Sequence, residues 1–183
     1  MTSAAIPLAT KQRYSARGER INIASHALGL VLSVSGFFLL VHHAFYNGEL
    51  IHLISFAIFG MSLIVLYGAS TIYHCTQDPI KRARMRVVDH AAIYVLIAGT
   101  YTPMTLVALQ GTIGWVIFSA SWGLAAVGIA VKLFFTGRFK ILSTSMYVVM
   151  GWLIVFAIEP LTNNLSDSGL FLLFLGGVAY TVG

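Results

Sequence analysis

A chain of 183 residues that is 58% hydrophobic and only 9% charged cannot clothe a water-facing surface, for which a soluble domain uses roughly 25% charged residues. Its formal charge of +5 does not mark a nucleic-acid binder, because the basic residues are confined to an amino-terminal tail and to loops between apolar runs. The mean hydropathy of +0.86 reflects repeated runs of about 20 apolar residues, the length that crosses a bilayer as a helix.

Residues 1–20 read as a polar tail carrying Lys11, Arg13, Arg17 and Arg20. The tail leads straight into a full-length apolar span over 21–45, so no signal peptide is expected. The turn Tyr46-Asn47-Gly48-Glu49 precedes a second span over 50–73. A loop over 75–86 then carries Lys81, Arg82, Arg84 and Arg86, and a third span covers 87–109. Gln110-Gly111-Thr112 separates it from a fourth over 113–135, and Gly137-Arg138-Phe139-Lys140 leads to a fifth over 141–158. Glu159-Pro160 opens a polar loop through Ser168, and a sixth, short apolar run occupies 169–183. The predicted fold class is all-α: a polytopic transmembrane helix bundle with six apolar segments over 21–183.

With the amino terminus inside, every Lys and Arg falls on or beside the cytoplasmic side, and the opposite turns carry Glu49, Glu159 and Asp167. This is the positive-inside pattern, and it predicts a multi-pass plasma-membrane protein with a cytoplasmic tail. Ser25, Gly29 and Ser33 repeat every fourth residue along the first span, a small-residue seam for close helix approach, and Gly176-Gly177 could serve similarly. Pro103 should kink the third span, with Thr100 and Thr102 placed to bond freed carbonyls. The single cysteine, Cys75, excludes an intrachain disulfide and reads best as an inert thiol.

This orientation brings ionisable groups to one depth. Glu19, Asn22 and His26 lie at the cytoplasmic entry of the first span, Ser70 and His74 at the exit of the second, and Asp89 and His90 at the entry of the third. At about 100° per residue, Glu19, Asn22 and His26 share one helix face, and Ser70 and His74 stack one turn apart. Polar groups near hydrocarbon are costly and by default mark a functional site. Each has a plainer reading when taken singly. Glu19 and Asn22 suit a helix amino terminus, His26 could be a hydrogen-bonded bundle residue, and Asp89 could pair with an arginine of its own loop. His42, His43 and His52 sit at the outer ends of the first two spans without a carboxylate on their faces.

The stretches ERINIASH (19–26), STIYH (70–74) and DHAAIY (89–94), followed by AGTYTP (98–103), together resemble the bacterial hemolysin III family. FKILS (139–143) and MGW (150–152) fit the same branch. That family is related to the progestin and adipoQ receptors of the CREST superfamily. The resemblance implies seven helices and a zinc ion near the cytoplasmic face, held by His74 and by two histidines of an H-x-x-x-H motif in the last helix. It also implies that Asp89 orients a zinc-bound water, with Ser70 near the metal and Glu19, Asn22 and His26 in support. Zinc in catalytic sites keeps one position open for water and lowers its pKa towards neutrality.

The chain departs from that pattern. Its sixth run is short of the roughly 20 residues a span needs, the last helix is absent, and so is the H-x-x-x-H pair. The expectation is therefore a full-length zinc-site lipid (acyl-amide) hydrolase whose metal site is incomplete in this chain, with zinc weakly held or absent. The alternative is a non-enzymatic membrane protein, either a pore-forming hemolysin or a regulator of membrane homeostasis. Polar groups clustered at one end oppose a monomeric channel, although a homo-oligomer could still line one. The expected partners are membrane lipids.

Overall fold

The computed structural model describes residues 16–109, 111–134 and 140–182, and all its regular structure there is helical. The helices are α1 (Ala16–Asn47), α2 (Leu50–Cys75), α3 (Pro79–Pro103), α4 (Gly111–Phe134), α5 (Lys140–Gly151), α6 (Ile158–Asn164) and α7 (Asp167–Val182). Among the described residues, five stretches are long and apolar enough to cross a membrane: Arg17–Asn47, Leu50–Cys75, Pro79–Leu109, Gly111–Phe134 and Ile141–Asn164. Helix α7 is apolar but shorter. The predicted bundle is therefore present, with its short last segment.

Several boundaries differ from the sequence reading, each for a local reason. Helix α1 starts at Ala16, within the predicted tail, whose residues 1–15 lie outside the described residues. The predicted basic loop over 75–86 shrinks to Thr76–Asp78, because α3 begins at Pro79. Asp78 caps it, accepting from the Lys81 backbone N–H at 2.8 Å, and Pro79 occupies the first helical position, where no N–H is needed. Lys81, Arg82, Arg84 and Arg86 thus ride on helix, with fixed directions. The basic connection 137–140 falls almost wholly outside the described residues.

Helix α3 continues into a π-helical segment, Met104–Leu109, immediately after Pro103. The kink expected at Pro103 takes this form, as the loss of one N–H donor shifts the hydrogen-bond register. The Thr100 and Thr102 hydroxyls bond the carbonyls of Leu96 and Ala98, whereas Thr105 reaches Tyr101 and Thr102 where the register changes. The carbonyl that Pro103 leaves without its helical donor is that of Gly99, so the two predicted threonines bond neighbours of it instead.

The fifth span is also interrupted. A 3₁₀ segment, Leu153–Ala157, separates α5 from α6. Pro160 favours the restart at Ile158, since it then lies in a first helical turn rather than in an interior. Tyr101 of α3 repairs the break, donating its hydroxyl to the Gly151 carbonyl and accepting from the Ile154 N–H, each at 2.9 Å. Unpaired backbone groups at membrane depth would otherwise be costly.

Helix α3 is the axis of the fold. Half of its most apolar stretch is buried, against 6% for α1. Tyr94, Ile97, Ala98 and Tyr101 pack there with Ile117 and Ala125 of α4, Met150 of α5, and Ala157 and Leu161 beyond it. Small residues set the approach distances. Gly29 of α1 lies against the ring of Tyr67, Gly99 of α3 against Ser62, and Gly128 of α4 against the ring of Tyr94. Of the predicted α1 seam, Gly29 and buried Ser33 face inward while Ser25 is exposed. Gly176 and Gly177 meet no close neighbour. They line an apolar cavity of about 630 Å³ between α3, the α5–α6 break and α7.

Candidate site at the basic end of the bundle

Heptad spacing on two parallel helices builds the site. Glu19 and His26 lie seven residues apart on α1, as do Arg82 and Asp89 on α3. Seven residues return to within about 20° of the same face, roughly 10 Å farther along the axis. Two layers result: Glu19 and Arg82 at the rim, His26 and Asp89 two turns deeper. Helix α2 runs the other way and ends between them, so His74 meets both layers.

Glu19 is the junction of the upper layer. Its Oε2 lies 3.0 Å from His74 Nδ1, and its Oε1 accepts from Arg82 Nη2. The His74 and Glu19 side chains are only 13% and 18% exposed, which limits the screening of the pair by water. An ionised carboxylate accepts hydrogen bonds and donates none, so Nδ1 carries the proton in this contact. Arg82 is itself braced, donating Nη1–H to the Thr76 carbonyl at 3.1 Å and lying 4.8 Å from the centre of the Tyr73 ring. Three helices are tied together by one carboxylate.

The lower layer adds a second imidazole and a second carboxylate. The His26 ring stacks on that of His74, with centroids 5.2 Å apart and planes within 6°. Tyr67 flanks His26 at 6.2 Å. Asp89 acts electrostatically on His26 and on His90. It is half-buried, and among the described residues it has no hydrogen-bond or ion-pair partner. Arg82, seven residues before it on α3, bonds Glu19 instead. Ser70, one turn deeper than His74 on α2, is buried at 6% exposure.

The predicted residues are therefore distributed unevenly. His74 is in contact with both Glu19 and His26, Asp89 acts on His26 through its field, and Ser70 lies one turn deeper on α2. The Asn22 carbonyl accepts from Ser25 at 3.1 Å, and its side chain makes no hydrogen bond among the described residues. His90 feels the charges of Lys132 and Arg86 as well as that of Asp89, and its carbonyl accepts from the Tyr147 hydroxyl at 2.9 Å. At the opposite end, His52 Nδ1 accepts from the Glu49 backbone N–H, capping α2.

Arg82 is the site residue that the sequence reading missed, having assigned it to a loop. The signal was present in Asp78-Pro79, a cap followed by a first-position proline, which starts α3 early enough to place Arg82 and Asp89 on one face.

A metal finds an incomplete donor set here. Among the described residues no group of three or more His, Cys, Asp or Glu side chains is arranged to hold an ion. His74 offers one nitrogen, Nε2, its Nδ1 being engaged by Glu19, and the chain contains no pair of histidines four residues apart. The residues present do not by themselves fit a zinc ion.

The fold and this site define a multi-pass helical membrane protein with a polar cluster at one end of its bundle. The profile of the Haemolysin-III related family matches residues 14–183, and the chain belongs to that family. It is 43% identical over 170 residues to the "Hemolysin-3 homolog" of Bacillus subtilis (strain 168), covering 93% of this chain and 80% of that protein. It is 40% identical over 174 residues to "Hemolysin-3" of Bacillus cereus, covering 95% and 80%. A more distant similarity, 28% over 137 residues, links it to the human "Monocyte to macrophage differentiation factor", covering 69% of this chain and 54% of that one. No solved structure is a significant match.

Proposed function

We propose that this hemolysin III-like protein, in its full-length form, hydrolyses acyl-amide lipids at the basic end of its bundle, with that end facing the cytoplasm. The observation that carries the reading is the stack of His26 on His74 together with Asp89, which acts on His26 and has no hydrogen-bond or ion-pair partner among the described residues. A carboxylate kept near hydrocarbon without an ion pair is expensive and is retained where it handles protons. Asp89 serves as general base towards a water, Ser70 offers a hydroxyl to the substrate's polar group, and His74 presents Nε2. Leu96, where the lining of the apolar cavity begins on α3, lies seven residues beyond Asp89 on nearly the same face. A lipid amide held at Asp89 would thus have a greasy channel for its chain. Zinc, for which this chain supplies His74, belongs to the same proposal through the family resemblance, and no step here depends on it.

The test is release of fatty acid from an acyl-amide lipid in proteoliposomes, comparing wild type, Asp89→Asn, His74→Ala and Ser70→Ala. Loss of about 100-fold or more in the first two variants supports the reading, general bases typically contributing 10²–10⁴. Equal turnover in both variants and wild type removes it. Pore formation is the competing outcome, read in the same vesicles as release of a trapped dye. The buried hydroxyls of Ser62, Thr102, Thr105 and Ser121 bond carbonyls of their own helices, which weighs against a water-lined path through one copy.

A further inference from the structure

We propose that Glu19 and Arg82 form a positioning device for His74, in which Glu19 holds the imidazole as its Nδ1–H tautomer and Arg82 holds Glu19 ionised and aimed. The inference rests on the reading of His74 as a functional imidazole, and its test is independent of turnover.

The geometry leaves little freedom. Both Glu19 oxygens are used, one on His74 Nδ1 at 3.0 Å and the other on Arg82, so the carboxylate cannot rotate without breaking one contact. Arg82 in turn is fixed by the Thr76 carbonyl, at the end of α2, and by the face of Tyr73. The nearer carboxylate in sequence, Asp78, is occupied in capping α3 through the Lys81 N–H, which leaves Arg82 to α1. His74 is held at its edge by Glu19 and on its face by His26. With the proton on Nδ1, the lone pair sits on Nε2, the nitrogen able to accept a proton or bind a Lewis acid. A carboxylate on the far nitrogen of a functional imidazole sets which tautomer is present and raises the basicity of the other nitrogen. A purely structural ion pair would use Arg82 and Glu19 equally well but would be indifferent to the His74 proton.

That indifference is measurable. The full chain is labelled with ¹⁵N-histidine, placed in lipid nanodiscs at pH about 8, where an ordinary imidazole is neutral, and read by two-bond nitrogen–proton correlation. His74 is assigned by its loss in His74→Gln. The expected wild-type pattern is a protonated Nδ1 and a bare Nε2. Glu19→Ala should move His74 to the Nε2–H form, and Arg82→Gln should give a mixture of the two. A wild-type His74 protonated at Nε2, or an Nδ1–H form unchanged in Glu19→Ala, overturns the proposal. Should Glu19→Ala fail to fold, the wild-type spectrum and Arg82→Gln still decide it. A Glu19-dependent tautomer in a protein that hydrolyses no lipid amide would uphold the positioning device while removing the hydrolase reading. Turnover with a tautomer insensitive to Glu19 would do the reverse.

Discussion

Replacing Tyr101 by Phe isolates the contact that makes a broken fifth span tolerable. The ring is 6% exposed and its packing survives the change, so only the hydroxyl is lost. That hydroxyl serves the Gly151 carbonyl and the Ile154 N–H, both at 2.9 Å, the two groups on either side of the break. Hydrogen bonds within membrane proteins average about 0.6 kcal/mol, with a maximum near 1.7, so two bonds amount to about 1–3 kcal/mol. The upper half of that range applies if water does not reach the orphaned backbone groups. Equilibrium unfolding in mixed micelles provides the assay. Tyr67→Phe is the control, since the Tyr67 hydroxyl makes no hydrogen bond among the described residues. A Tyr101→Phe protein within about 0.3 kcal/mol of wild type would refute the idea that this hydroxyl stabilises the interruption.

A methyl group on Gly128 would enter the ring of Tyr94, which is 0% exposed, so Gly128→Ala should cost about 1–3 kcal/mol by overpacking, whereas Gly36→Ala, with open space beside it, should be neutral or stabilising. Equal stability of the two variants in the unfolding assay would count against the close α3–α4 crossing. Cys75 is exposed and is the chain's single thiol. If the basic end faces the cytoplasm, a membrane-impermeant maleimide should label it in inverted vesicles and not in intact cells, and the opposite pattern would reverse the assigned orientation.

The existence and order of the spans were legible because a bilayer imposes a length and an apolar composition that no soluble helix must satisfy. Counting along antiparallel spans brought Glu19, His26, His74 and Asp89 to the same end of the bundle, but not to one level. The structure spreads them over two layers, with Glu19 at the rim and His26 and Asp89 two turns deeper. What hydropathy could not show was where a helix starts within charged sequence. Asp78-Pro79 opens α3 amid basic residues, and treating those residues as loop hid Arg82. The break after Gly151 was equally invisible, lying in an unbroken apolar run and depending on Tyr101 from another helix. The pairing of Asp89 was a three-dimensional question. Four basic residues precede it on its own helix, and one of them, Arg82, reaches across to Glu19.

Three helices meet through the Glu19 carboxylate, and a double-mutant cycle between Glu19 and Arg82 tests that junction most directly. Unfolding free energies of Glu19→Ala, Arg82→Ala and the double variant should show a coupling of about 0.5–3 kcal/mol, towards the lower end because both side chains retain some exposure. Additive single effects, with coupling below about 0.3 kcal/mol, would mean that α1 and α3 do not meet there.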